Sequence, residues 1–139
     1  MNLVDELLEA DVKKATELET GDVKSKRLAK ILEKKDPVTV KIKELKPRRL
    51  NDISATQFKN NGDLDLGKTY DAKLLMCIEG CTDPDLMNKD LQAHFGCKSA
   101  KELAELLFRS EAGDIADAIT ELSGVVADEK KNEEKVKNS

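Results

Sequence analysis

Aromatic side chains are nearly missing from this chain, which has one Tyr, three Phe and no Trp in 139 residues. Without large rings to fill space, a core must be assembled from Leu, Ile, Val, Ala and Met on helices. Long apolar runs are also missing. None approaches the roughly 18 residues needed to cross a bilayer, and Asp5 and Glu6 interrupt the start where an export signal would be cationic and then greasy. The expectation is a protein kept in the cytoplasm, with no membrane partner. The three cysteines are an odd number, which argues for reduced thiols over a disulfide framework.

Charge is abundant, at 37% of residues, and unevenly placed. Residues 1–20 hold six Asp and Glu against two Lys, while residues 21–50 hold eleven Lys and Arg against four Asp and Glu. Residues 51–128 are acidic again, with fifteen Asp and Glu against seven Lys and Arg. A basic middle is thus set in an acidic protein. The length suits a single domain over residues 1–126. After Ala127 the chain is dense in charge, and residues 127–139 are expected to be a disordered tail.

The clearest local structure lies between Asp83 and Gly124. Ser99 and Glu102 fit a capping box, and Ala100, Leu103, Ala104 and Leu107 recur at helical spacing with Leu106 and Phe108 alongside. Ile115, Ile119 and Leu122 repeat the pattern, with Gly124 as a left-handed stop. Asn88 can cap a short helix ending at Gly96, after a turn at Asp83-Pro84.

Upstream, residues 3–20 read as one amphipathic helix on Leu3, Leu7, Leu8, Ala15 and Leu18, ended by Gly21. Val38 to Lys43 alternates at period two and reads as a strand with Val38, Val40 and Ile42 buried. Its partner is expected from Val23 to Ala29, making a β-hairpin within residues 22–46, although Leu28, Ile31 and Leu32 would equally serve a helix. A helical bundle should fill residues 48–124, with helices over Arg49–Phe58 and Lys68–Gly80, the second apolar nearly all round. The fold class is therefore mostly helical α+β, a small N-terminal hairpin packed with about five helices.

Three patterns invite chemistry. Cys77, Cys81, His94 and Cys97 together offer four soft ligands for a structural zinc, and a zinc-stabilised adaptor would use them. The ordinary reading is buried or incidental thiols, because Cys77 falls on an apolar helix face and a three-residue gap on a helix is not a tight knuckle. The basic run from Lys24 through Lys26, Arg27, Lys30, Lys34, Lys35, Lys41, Lys43, Lys46 and Arg48 to Arg49 could meet phosphates in a small nucleic-acid-binding regulator. No aromatic residue lies between Gly21 and Gln57 to stack a base, so a solvated face or a patch for an acidic protein, including another copy, is favoured and no nucleic acid is expected. Gly62 to Thr69 literally matches a phosphate loop, but no buried strand precedes it and Asp63 and Asp65 would repel phosphate. His94 has no Ser nucleophile in a recognisable elbow. No catalytic residue, cofactor or metal is assigned, and the chain is not read as an enzyme.

The order of these pieces resembles a known family. Asn2-Leu-Val-Asp-Glu-Leu-Leu-Glu-Ala-Asp-Val-Lys-Lys-Ala-Thr-Glu-Leu18 is similar to its opening, and Lys26-Arg-Leu-Ala-Lys30 with Val38-Thr-Val-Lys-Ile-Lys-Glu-Leu45 to its middle. Pro84-Asp-Leu86, Leu91, Phe95-Gly96 and Leu122-Ser-Gly124 are similar to its closing block. The family is that of the XkdN-like phage tail assembly chaperones; Lys34-Lys35, Cys81 and Cys97 depart from its pattern.

The resemblance implies a non-catalytic protein of phages and prophage-like elements. Such a protein coats the tape measure protein before the tail tube forms, recruits tail tube subunits, and is absent from the finished virion. It also implies two forms made by ribosomal frameshifting, for which the codons of Lys130-Lys131-Asn132 could supply an A-rich slippery run. Physically, an exposed client stripe would be covered by apolar helical faces. The candidate partner-binding residues are Leu3, Leu7, Leu8, Leu103, Leu106, Leu107, Ile115, Ile119 and Leu122, and self-association is a further expectation.

Overall fold

A computed structural model describes residues 2–124, so the charged tail expected over residues 127–139 lies outside the described residues. The elements run α1 (Leu3–Glu9), α2 (Val12–Thr16), β1 (Thr20–Ser25), α3 (Lys26–Ile31), β2 (Val38–Lys43), α4 (Pro47–Ala55), α5 (Leu66–Gly80), β3 (Cys81–Asp83), α6 (Lys89–His94), α7 (Ala100–Phe108) and α8 (Glu111–Leu122). The fold is mostly helical α+β, with one small antiparallel sheet ordered β1-β2-β3.

β2 is the central strand because its alternation buries Val40 and Ile42 while Thr39, Lys41 and Lys43 turn outward. It pairs with β1 in the register Val23↔Val40 and Gly21↔Ile42. Gly21 is thus part of a strand and does not end the first helix. The hairpin also differs from expectation beyond Ser25. Lys26 to Ala29 do not continue the strand but open α3, because a cap is waiting for them. Ser25 Oγ accepts from the Leu28 amide at 3.0 Å, and the Glu111 carboxylate accepts from Ser25 Oγ at 2.6 Å and from the Lys26 amide at 3.0 Å. Those bonds satisfy the free amides of a helix start, and Leu28 and Ala29 are buried.

α5 organises the rest. It packs against α4, α7 and α8 and runs directly into β3, which adds to the free edge of β2 through Ile42↔Cys81. Its expected all-round apolarity corresponds to burial of Ala72, Leu74, Met76 and Cys77, with Tyr70, Leu75 and Ile78 half-buried against the same core. Phe108 from α7 and Ile115 and Ile119 from α8 complete that core at 0–1% exposure. The predicted cap at Ser99 is present, its Oγ accepting from the Glu102 amide at 3.1 Å. Glu102 reaches one residue further back than a capping box would place it, to the amide of Lys98 at 2.8 Å.

The largest departure is at the N-terminus. The helix predicted over residues 3–20 divides into α1 and α2, with Ala10 extended and Asp11 capping the second piece through the Lys13 amide. Nothing in α1 or α2 is buried. A helix with no packed face is held only by its own turns, so a good internal cap such as Asp11 suffices to restart it.

The approach of α8 to α5 depends on one missing side chain. A Cβ added at Gly80 would lie 2.5 Å from Ile119 Cδ1 and 2.9 Å from its Cγ1 and Cγ2. Gly80→Ala is therefore expected to destabilise the protein by about 1–3 kcal/mol in urea unfolding, and Ile119→Val in the same chain should recover part of the loss. An unchanged midpoint for Gly80→Ala would contradict this packing.

Candidate functional site

Residues 2–20 are exposed throughout and form an arm joined to the folded body at β1. α1 begins in a capping box in which Asn2 Oδ1 accepts from the Asp5 amide at 3.0 Å and the Asp5 carboxylate accepts from the Asn2 amide at 3.3 Å. Leu3 and Leu7 lie one turn apart beside Val4 and Leu8, which makes one apolar face, with Asp5, Glu6 and Glu9 on the other. The apolar side chains are 63–79% exposed from Leu3 to Leu8, and Val12 is 76% exposed. Scattered single apolar residues on a surface are ordinary; five on a short, unpacked helical arm form a patch of the kind that marks interaction sites.

At the foot of the arm the chain is tied down. The Glu19 amide donates to the Glu44 carboxylate at 2.9 Å and the Glu44 amide donates to the Glu19 carbonyl at 2.8 Å. Leu18 there joins Leu45, Ile78, Cys81 and Met87 in lining a groove of about 650 Å³. Its rim carries Lys43, Lys46 and Arg49 together with Glu44, Glu79 and Asp85.

The candidate residues fall into two groups. Leu3, Leu7 and Leu8 lie on the arm with their side chains in solvent. Leu103, Leu107, Ile115 and Ile119 are buried in the core, and Leu106 and Leu122 are half-buried. The periodicity of α7 and α8 serves their packing on α5 and the sheet, so their buried positions offer no surface in this fold. Outside that candidate set the exposed large apolar residues are Val4, Val12, Leu18, Leu32, Phe58, Leu64, Leu66 and Met87. Phe58 and Leu64 are brought opposite each other by a bridge across the loop that turns at Gly62.

The other patterns resolve locally. Among the described residues no group of three or more His, Cys, Asp or Glu is placed to hold a metal ion. Cys77 Sγ donates to the Ala112 carbonyl at 3.3 Å, and its thiol is held far above the ordinary range, first by hydrogen bonding with Cys81 and then by burial. The N-terminus of α5, which a bound phosphate would need, is capped by Asp65, whose carboxylate accepts from the Lys68 amide at 3.2 Å. In the basic segment, Arg49 makes a two-pronged pair with Glu79 at 2.7 and 2.5 Å, Lys41 pairs with Asp22 at 3.1 Å, and Arg27 donates to the Leu106 carbonyl at 3.2 Å. Lys24, Lys41 and Lys43 share the outward face of the hairpin.

Thiol chemistry should report this arrangement. Cys97, half-buried, is expected to react first with an aromatic disulfide reagent, Cys81 more slowly, and Cys77 only on unfolding. Rapid reaction of Cys77 in the native protein, read by mass spectrometry of labelled peptides, would contradict the packing.

The family model described as phage XkdN-like tail assembly chaperone protein matches residues 4–137, from within α1 of the arm through the folded body and beyond α8. Searches of curated proteins and of solved structures return no significant match.

Proposed function

The chain belongs to the phage XkdN-like tail assembly chaperone family, and from that premise we propose that it holds the tape measure protein through its N-terminal arm. The reading is of a non-catalytic protein acting in the cytoplasm of the infected or lysogenic cell, before the tail tube closes around its ruler. One observation carries it: the apolar face of α1 is left in solvent while the described residues from β1 to α8 share a core of their own. A long helical client with apolar stripes aggregates unless those stripes are covered, and an amphipathic helix laid along them buries both partners' apolar area. The arm's carboxylates, Asp5, Glu6, Glu9 and Asp11, are exposed beside that face and would keep the complex hydrated.

The folded body then has a second role in this reading, that of presenting the coated client to tail tube subunits. The exposed residues Phe58 and Leu64, in the loop between α4 and α5, and Leu66 at the start of α5 are candidates for that contact, since they leave half or more of their apolar surface in solvent. No step in this function needs a nucleophile or a general base. Coating and release are binding equilibria.

The test is co-expression of the chain with the tape measure polypeptide. The Leu7→Asp/Leu8→Asp variant should keep its helical circular dichroism and its unfolding midpoint, because both positions are more than 60% exposed, yet leave most of the client in the insoluble fraction. Equal client solubility with the wild-type chain, the variant and no chain would overturn the proposal.

A further inference from the structure

We propose that the arm selects its client by charge: α1 takes an amphipathic helix whose apolar stripe is bordered on both sides by lysine or arginine, and rejects an equally apolar helix bordered by carboxylates. This selection rests on the arm being the contact, as in the function proposed above, and adds which segments of a client the arm can hold.

The sign of the arm is set within two turns of helix and the residues just after them. From Asn2 to Val12 the chain has four carboxylates, Asp5, Glu6, Glu9 and Asp11, and no Lys or Arg. Lys13 and Lys14 follow at once, so the acidic stretch ends where α2 begins. Two of the four carboxylates are engaged inside the arm: Asp5 accepts from the Asn2 amide at 3.3 Å, and Asp11 accepts from the Lys13 amide at 3.0 Å. Glu6 and Glu9 are exposed and form no salt bridge among the described residues.

Placement matters here more than number. At about 100° per residue, Leu3, Leu7, Val4 and Leu8 sweep an arc of roughly 140° around α1, with Glu6 about 60° outside Leu3 and Asp5 about 60° outside Leu8. Glu9 lies behind Asp5 on the same side. The apolar stripe therefore has a carboxylate along each of its long edges. A helix laid on that stripe brings its own flanking positions opposite those carboxylates, as the e and g positions of a coiled coil do. Cations at those positions are attracted, and carboxylates there meet like charge in an interface that is losing water. The same sign disfavours other apolar or extended surfaces, because anionic lipid headgroups and nucleic-acid phosphates are repelled as well. The seven residues of α1 span about 10 Å, which is one heptad of such a partner.

Fluorescence anisotropy with the full chain tests this, using three labelled synthetic peptides that share one leucine stripe over three heptads and carry Lys, Gln or Glu at the flanking positions. The lysine-flanked peptide should bind about tenfold or more tighter than the glutamate-flanked one, with the glutamine-flanked one between, and the gap should narrow as salt is raised from about 0.05 to about 0.5 M. Glu6→Lys/Glu9→Lys should reverse the order. The ratio between peptides is the readout, because fraying of α1 in the variant would weaken all three alike. Equal binding of the three, or no binding of any, would overturn the charge selection and leave the arm's role to the client solubility test. Lysine-flanked binding that Leu7→Asp/Leu8→Asp retains in full would take the contact off the arm and overturn both readings. Binding of the chain to phosphatidylglycerol vesicles that Leu7→Asp/Leu8→Asp abolishes would also contradict the selection.

Discussion

Everything in this molecule follows from how tightly α8 closes on α5. Gly80 ends α5 without a side chain, Ile119 fills the space so left, and the next residue, Cys81, is already pairing with β2. This contact thus lies where the helices join the sheet. Around it the aliphatic side chains of α4, α5, α7, α8 and β2 reach near-complete burial, which a chain with so few rings achieves only by close interlocking of small and branched groups. Polar bonds finish the edges. Glu111 caps α3, and the Leu45 amide donates to Ser123 Oγ at 2.9 Å, tying the end of α8 to the end of the hairpin.

A core complete in itself has no place for the arm. The apolar residues of α1 are therefore in excess of what the fold can bury, and their exposure is a cost that a protein working alone would not need to carry. In the function proposed, that asymmetry between a packed body and an exposed arm would separate the stability of the chain from its binding of a client. The surrounding carboxylates and the basic hairpin face set the sign of what can approach each part.

The helices with written ends were legible in the sequence. Ser99, Asn88 and the apolar surround of α5 announced α7, α6 and α5 because caps and helical periodicity are local signals. The period-two run of β2 was equally plain. What escaped was set by distant partners. α3 forms in place of a longer strand because Glu111, far along the chain, supplies acceptors to its first amides. β3 is too short, at three residues, to show any period and exists through its ladder to β2. The division of the first helix went unseen because a stripe of leucines looks the same whether it is packed or free. For the same reason Leu103, Leu107, Ile115 and Ile119 shared one pattern with Leu3, Leu7 and Leu8, although the former are buried and the latter are in water.

In the function proposed, the arm is uncovered in the isolated chain and becomes ordered against another polypeptide. Amide hydrogen exchange at high dilution, with and without the tape measure polypeptide, addresses it most directly. Residues 3–16 are expected to exchange within the dead time when the chain is alone, while α5 and α8 stay protected, and protection of the arm should appear only in the complex. Strong protection of the arm in the dilute chain by itself, or exchange there that the client leaves unchanged, would contradict it.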